Sequence, residues 1–185
     1  MAWSGFERAV RHVPGGAAAV FHAIGVPLSV IDRPGLKTPF RKYLAYFETA
    51  ARLANDPLFG LRFGAGTRAE RSGIPGYLVL NARRFRDALS DLALTLPTLV
   101  GGVRIELVTE RDPPALIWSL ANGVGDTTQF ISHANIYFVR MLQAHRGRHW
   151  RPGRVLYAVT APARPDRYRA VLGVPVVLNA PINAI

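Results

Sequence analysis

The chain has 185 residues, enough for one domain with a hydrophobic core, and its hydrophobic share of 49% excludes an intrinsically disordered protein. The formal net charge is +11, carried by 21 arginines and two lysines, and the absence of cysteine excludes a disulfide framework and any Cys-based metal site. The start of the chain lacks the pattern of a signal peptide. The most apolar run, residues 17–31, is interrupted by His22 and Pro27 and is too short to span a bilayer.

The first half of the chain is predicted to be helical. Short helices are expected within residues 6–24. The clearest helix begins with Thr38 as its N-cap and Pro39 at the first helical position, where the missing N–H of proline costs nothing. Apolar residues at helical spacing continue to Ala54, and Asn55-Asp56-Pro57 ends this helix.

Two further helices complete this half. Residues 58–64 form a short apolar piece, and residues 76–80 are predicted to be a short buried helix. The next helix covers about residues 83–96, because its apolar side chains recur every three or four positions. Asn81 is the expected cap of this helix, and Pro97 marks its end.

The second half of the chain begins with a predicted hairpin. Residues 103–108 alternate apolar and polar side chains with period two, which is typical of a half-buried strand. Arg111-Asp112-Pro113-Pro114 then turns the chain, and residues 115–120 return as the second strand.

Two more strands are predicted over residues 155–160 and 174–179, with a short helix over residues 166–172 between them. Pro175 has no N–H to donate, so the last strand is expected at an edge or at a bulge. The order is therefore N-terminal helices followed by β-β-α-β-α-β. This order predicts an α+β fold with a small mixed or antiparallel sheet, in which residues 1–185 form a single domain.

A long helix over residues 127–142 lies between the hairpin and the last two strands. Its first turn can be capped by Asp126 or Thr127, and Gly147 is expected to end it. Phe130, Tyr137 and other large apolar residues share one broad face of this helix.

The opposite side of the long helix carries a second apolar spot at Ile136 and Val139, beside Gln143. A helix that packs on one side only does not need this spot. The helix is therefore either sandwiched within the fold or in contact with another chain. The second alternative makes Ile136, Val139 and Gln143 candidates for a dimer interface.

No catalytic motif is recognisable in the sequence, which has neither a Gly-x-Ser-x-Gly elbow nor a phosphate-binding loop. His145 and His149 have the spacing of two metal ligands on one helix face, but Gly147 between them is expected to break the helix. We therefore predict no catalytic residue, no metal site and no cofactor. Twelve carboxylates could still meet in space, so an enzyme remains an alternative.

Aromatic residues with a polar end are the candidates for a ligand pocket, because each offers a large apolar surface and one hydrogen-bonding group. The candidates are Tyr77, Trp118, Tyr137 and Tyr157, together with His133 on the margin of the long helix. For any one of them, the alternative is a core position in which the backbone satisfies the polar tip. As a set between the helical half and the sheet, they are predicted to line a pocket.

The basic charge could serve nucleic-acid binding, because cations that contact phosphate release its counterions. The arginines are scattered along the chain, however, and solvated side chains are the favoured interpretation. The excess of arginine would also suit an anionic effector, such as a carboxylate or an acyl compound.

Five segments, in the same order, resemble one class of AraC-family transcriptional regulators. Residues 47–64 resemble the E-x-A-A-x-L-x-x-D-P-x-x-G-L signature of their N-terminal arabinose-binding-like domain. Four further segments are similar to later parts of that domain, namely residues 73–77, 85–89, 150–155 and 168–180. Leu172 and Leu178 replace the usual phenylalanines, and these are core exchanges of similar character.

The resemblance implies a cytoplasmic transcription regulator that does not contact membranes. In such proteins this domain senses a small-molecule effector and forms a homodimer, and a C-terminal pair of helix-turn-helix motifs binds DNA. No such motif is recognisable in residues 1–185, and the apolar end at Ile185 suggests that the natural protein continues. The arabinose regulator itself has a jelly-roll sensor, and this sequence is too helical for that fold.

A small α+β enzyme or a stand-alone ligand-binding protein is the alternative to a regulator. For the regulator, the long helix suggests a mechanism. If an effector contacts Phe130 and Tyr137 while a second subunit contacts Ile136 and Val139, a small shift of the helix couples the two sites.

Overall fold

The computed structural model describes residue 3 and residues 5–33, 36, 38–110, 113–121, 125–159 and 164–185. The helices of the first half are α1 (Phe6–Ala9), α2 (Gly16–Ala23), α3 (Phe40–Leu53), α4 (Phe59–Ala65), α5 (Gly73–Asn81) and α6 (Phe85–Leu99). The second half contains β1 (Val103–Val108), β2 (Ala115–Leu120), α7 (Thr128–Arg146), β3 (Val155–Leu156), α8 (Pro165–Leu172), β4 (Val176–Val177) and β5 (Asn183–Ala184). The predicted α+β fold is confirmed.

The strands form one mixed sheet in the order β1-β2-β5-β3-β4. The predicted hairpin is confirmed, because β1 and β2 pair antiparallel from Val103↔Leu120 to Val108↔Ala115. Strand β5, which the sequence analysis missed, pairs antiparallel with both β2 and β3, whereas β3 and β4 are parallel. Strand β4 lies at an edge, as Pro175 indicated. Residues 111–112 of the predicted turn and Thr160 of the predicted third strand lie outside the described residues.

Two of the predicted caps are wrong, because the side chains bond elsewhere. The hydroxyl of Thr38 accepts a hydrogen bond from the Trp3 indole at 2.9 Å and does not cap α3. The Asn81 amide donates to the Tyr77 carbonyl at 2.7 Å and therefore closes α5. Helix α6 also continues through Pro97 to Leu99 instead of ending there.

Helix α7 forms the centre of the core and is buried along most of its length. Two carboxylates satisfy N–H groups of its first turn: Asp126 accepts from Thr128 N at 3.0 Å, and Glu48 of α3 accepts from Gln129 N at 2.7 Å. The helix ends at Gly147, as predicted. It therefore joins the helical half to the sheet, and its polar side chains make part of the connection.

Helices α4 and α7 approach each other closely because α4 carries glycine at two contact positions. A Cβ atom on Gly60 would collide with the Gln129 carbonyl. A Cβ atom on Gly64 would lie 2.6 Å from the His133 carbonyl oxygen and would also collide with the Ile136 side chain. The second apolar spot of α7 is therefore explained by packing within the chain, which was one of the two alternatives left by the sequence.

Candidate ligand cavity

A central cavity of about 1220 Å³ lies between the N-terminal helices, the β1–β2 hairpin and α7. This volume exceeds the roughly 300–1,000 Å³ of most small-molecule sites. Most of its walls are apolar, and their large members are Phe6, Tyr43, Phe59, Phe63, Leu96, Leu99, Val100, Val103, Ile105, Trp118, Phe130, Tyr137 and Phe138.

The periodicity of each element explains why these side chains converge. The alternation of β1 turns Val103 and Ile105 towards the cavity and leaves Arg104 exposed. On α7, Phe130, His133 and Tyr137 lie three or four residues apart, so they share the face that borders the cavity.

Three of the five residues predicted to bind a ligand line this cavity, namely Trp118, His133 and Tyr137. Tyr77 does not, because it lies on the outer face of α5 with 68% of its surface exposed. Tyr157 is fully buried elsewhere, with its ring centroid 5.2 Å from that of Tyr168. Their location outside the cavity assigns Tyr77 to the surface and Tyr157 to the core.

Trp118 is held in place by a hydrogen bond from its indole ring. Its indole N–H donates to the Asn135 side-chain oxygen of α7 at 2.8 Å. The Asn135 amide in turn donates to the Leu156 carbonyl of β3 at 3.3 Å. This wall of the cavity is consequently fixed between the sheet and α7.

His133 differs from the other buried polar side chains of α7. Gln129, Ser132, Asn135 and Gln143 each have hydrogen-bond partners, whereas His133 Nδ1 has none within the described part of the chain. The imidazole stacks on Phe47 at a centroid distance of 4.8 Å. Burial lowers the pKa of His133 to about 3, so the ring is neutral near pH 7 and one of its two nitrogens can accept a hydrogen bond.

The tyrosines of the cavity are also uncharged. Burial raises the pKa of Tyr137 to about 12, and burial together with the nearby Tyr137 raises the pKa of Tyr43. Both hydroxyl groups therefore keep their protons and can donate hydrogen bonds. The inner surface combines a large apolar area with a few neutral polar groups.

Positive charge is concentrated where the cavity opens to solvent. We call Arg8, Arg11, Arg62, Arg68 and Arg71 the arginine rim, because all five are exposed and line the same cavity. Arg62 is bound to Asp56 at 2.6 Å and Arg8 lies 4.0 Å from Glu7. The sequence analysis missed this set, because its members come from separate segments and none differs from the other scattered arginines in its local sequence.

The three candidates for a dimer interface offer no solvent-facing surface. Ile136 and Val139 are 0% and 1% exposed within the single chain. The Gln143 amide donates to the Trp150 carbonyl at 3.0 Å, and its oxygen accepts from Arg140 at 2.8 Å. A second subunit would need another surface unless the chain rearranged.

Helix α5 presents such a surface, with Ile74, Tyr77 and Leu80 exposed at 59%, 68% and 38%. These residues are spaced three apart, so they cover one side of the helix. The prediction of a buried helix in this region is therefore wrong for its outer face.

Neither a metal site nor a membrane segment is found in the part of the chain that the structure describes. None of its His, Asp and Glu side chains group in threes around a possible ion position. None of its helices has the length and apolar composition needed to cross a bilayer. A second, smaller cavity of about 760 Å³ lies beside Phe85, Leu116 and Trp150 and contains none of the predicted ligand-binding residues.

A search of curated proteins finds no relative. The family described as the N-terminal arabinose-binding domain of the AraC transcription regulator matches residues 15–185. That family is the ligand-binding domain of regulators and is not a known enzyme family. The match covers nearly the whole chain, so the chain belongs to the family of N-terminal arabinose-binding domains of AraC-type transcription regulators.

Proposed function

We propose that residues 1–185 act as a single effector-binding and dimerisation domain of a cytoplasmic AraC-family transcription regulator, with the central cavity as the effector site. The observation that carries this proposal is the large apolar cavity, with a few neutral polar groups, between the two halves of the fold. In the longer protein, the effector would alter DNA binding by a C-terminal helix-turn-helix domain.

A variant that fills the cavity tests the effector site. Ile105→Trp places a larger side chain inside, whereas Arg104→Trp places the same side chain on the opposite, exposed face of β1. A metabolite library is then screened by thermal shift, because a ligand that binds only the folded state raises the melting temperature. Metabolites should stabilise the unchanged chain and Arg104→Trp but not Ile105→Trp. A library that stabilises no variant, or all three equally, would argue against an effector in this cavity.

Dimerisation through the outer face of α5 is the second part of the proposal. Its support is the exposed apolar side of this helix, since large exposed apolar residues in a group often mark an interface. Tyr77→Glu should weaken self-association about tenfold or more, because a carboxylate would be buried without a partner. Ala170→Glu, on the exposed side of α8, is the matched control. Sedimentation of Tyr77→Glu like the unchanged chain would reject this surface.

The two sites are adjacent, which suggests how one could affect the other. Helix α5 packs on α7, and its residues Ile74 and Pro75 line the cavity. Ile74 is also part of the exposed face. If the effector and the second subunit prefer different positions of α5, effector binding changes the free energy of dimerisation, and dimerisation changes the affinity for the effector by the same amount.

A further inference from the structure

We infer that the central cavity takes an amphipathic organic acid, with its carboxylate at the arginine rim and its apolar body against the aromatic walls. The inference rests on the proposed function, since it names the class of effector for that site. It departs from the sugar that the family name suggests.

The described lining of the cavity lacks the carboxylate and amide side chains that would accept hydrogen bonds from a sugar. A monosaccharide carries a hydroxyl group on nearly every carbon, and each hydroxyl is a donor that needs an acceptor once it is buried. Of the described residues that line the cavity, none is Asp, Glu, Asn or Gln. A buried sugar would therefore find no carboxylate or side-chain amide oxygen among these residues to accept hydrogen bonds from its hydroxyl groups.

The size of the cavity and the aromatic character of its walls favour a large apolar ligand body. Eight of the wall residues are aromatic: Phe6, Tyr43, Phe59, Phe63, Trp118, Phe130, Tyr137 and Phe138. Burial of apolar ligand surface on such walls is favourable, because it removes that surface from water. A cavity of about 1220 Å³ is far larger than a pentose needs, whereas an acyl chain or a fused-ring body could occupy it.

The positive charge at the opening of the cavity favours an acid group on the ligand. Within the described residues, Arg11, Arg68 and Arg71 of the arginine rim take part in no ion pair, and no carboxylate lines the cavity beside them. Guanidinium groups bind carboxylates through two parallel hydrogen bonds. An acid group is therefore attracted to the opening, and its apolar body extends inwards.

Three compounds separate the chemical classes. The chain is titrated with dodecanoate, methyl dodecanoate and L-arabinose below the micelle concentration of the acid, at low and high salt. Heat of binding is the readout, supported by the tryptophan fluorescence of the chain, to which Trp118 in the cavity wall contributes. Dodecanoate should bind, its ester should bind at least tenfold more weakly, and arabinose should not bind. Added salt should weaken only the binding of the acid, because ions screen exposed charges.

Two double variants test the position of the carboxylate. Arg68→Gln/Arg71→Gln should weaken dodecanoate binding about tenfold, which corresponds to about 1.4 kcal/mol. Arg167→Gln/Arg169→Gln removes the same charge from exposed positions on α8 and should leave binding unchanged. Equal effects of the two double variants would overturn the role of the rim.

The remaining outcomes distinguish the ligand class from the proposed function. If arabinose or the ester binds as tightly as the acid, and Ile105→Trp abolishes this binding, the ligand is not specifically an acid. The central cavity would then remain the effector site. If Ile105→Trp binds dodecanoate as well as the unchanged chain, the acid does not bind in the central cavity. That result would overturn the inferred position of the ligand and would count against the cavity as the effector site. No binding of the acid, with cavity-dependent stabilisation by another metabolite, would reject the acid class alone.

Discussion

Replacing Gly64 by alanine tests the close approach of α4 and α7, on which the shape of the cavity depends. A Cβ atom at this position would lie 2.6 Å from the carbonyl oxygen of His133, about 0.8 Å short of the 3.4 Å at which ordinary contact begins. It would also collide with the methyl group of Ile136, which is fully buried. Because the first of these two obstacles is backbone of a central helix, a movement of the Ile136 side chain alone cannot relieve the contact.

The size of the effect follows from two opposing contributions. Forcing an extra methyl group into a packed core costs about 1–3 kcal/mol, and the upper end applies because two helices must separate. Alanine in a helix is more favourable than glycine by about 1 kcal/mol, which offsets part of this cost. We therefore expect Gly64→Ala to lower the free energy of unfolding by about 2 kcal/mol.

Urea unfolding measures this change, and Gly66→Ala provides the matched control. A Cβ atom on Gly66 would meet only the Phe63 carbonyl, at 3.4 Å, so its free energy of unfolding should stay within about 0.5 kcal/mol of the unchanged chain. Equal stability of Gly64→Ala and Gly66→Ala would refute the close packing of the two helices as described.

Three further predictions concern polar groups around α7. Burial raises the pKa of Glu48 to about 7 from 4.5, so between these pH values the folded chain holds a proton that the unfolded chain has released. The free energy of unfolding should therefore fall by about 1 kcal/mol between pH 4.5 and 7, allowing for the partial exposure of Glu48. Glu48→Gln should remove this pH dependence in urea unfolding. Asn135→Leu should lower the free energy of unfolding by about 2–3 kcal/mol in the same assay, because the Trp118 indole and the Leu156 carbonyl lose their hydrogen-bond partner. A decrease below about 1 kcal/mol would contradict the role of Asn135 in linking these two groups. His133→Phe should preserve or raise the melting temperature, because the imidazole is buried, neutral and without a hydrogen-bond partner at Nδ1 in the described part of the chain. A large decrease in the melting temperature would contradict the absence of a hydrogen bond at this nitrogen.

The sequence predicts the parts of this fold that have a regular pattern. The alternation of residues 103–108 predicts β1 at the correct residues, and the apolar run that follows the Pro-bearing turn predicts β2. Strand β5 has two residues and no room for a period, and its pairing depends on strands far away in the chain. The caps at Thr38 and Asn81 failed for a related reason, since each side chain found another partner.

The candidate site divides in the same way. Trp118, His133 and Tyr137 lie in the cavity, but Tyr157 has the same sequence character and lies in the core, so residue type alone does not separate the two locations. The roles of the three cavity residues in binding stay predictions. The arginine rim could not be found from the sequence, because its members meet only after α1, α4 and the segment before α5 have packed together.

The position of β5 has a consequence for how the chain can acquire its structure during synthesis. Strand β5 pairs with β2 on one side and β3 on the other, and Ile185 exchanges two backbone hydrogen bonds with Leu116. Until these last residues leave the ribosome, the hairpin and the β3–β4 pair remain separate pieces with open inner edges. Unpaired edges are templates for aggregation, so nascent chains that stall before residue 183 should be the most dependent on chaperones.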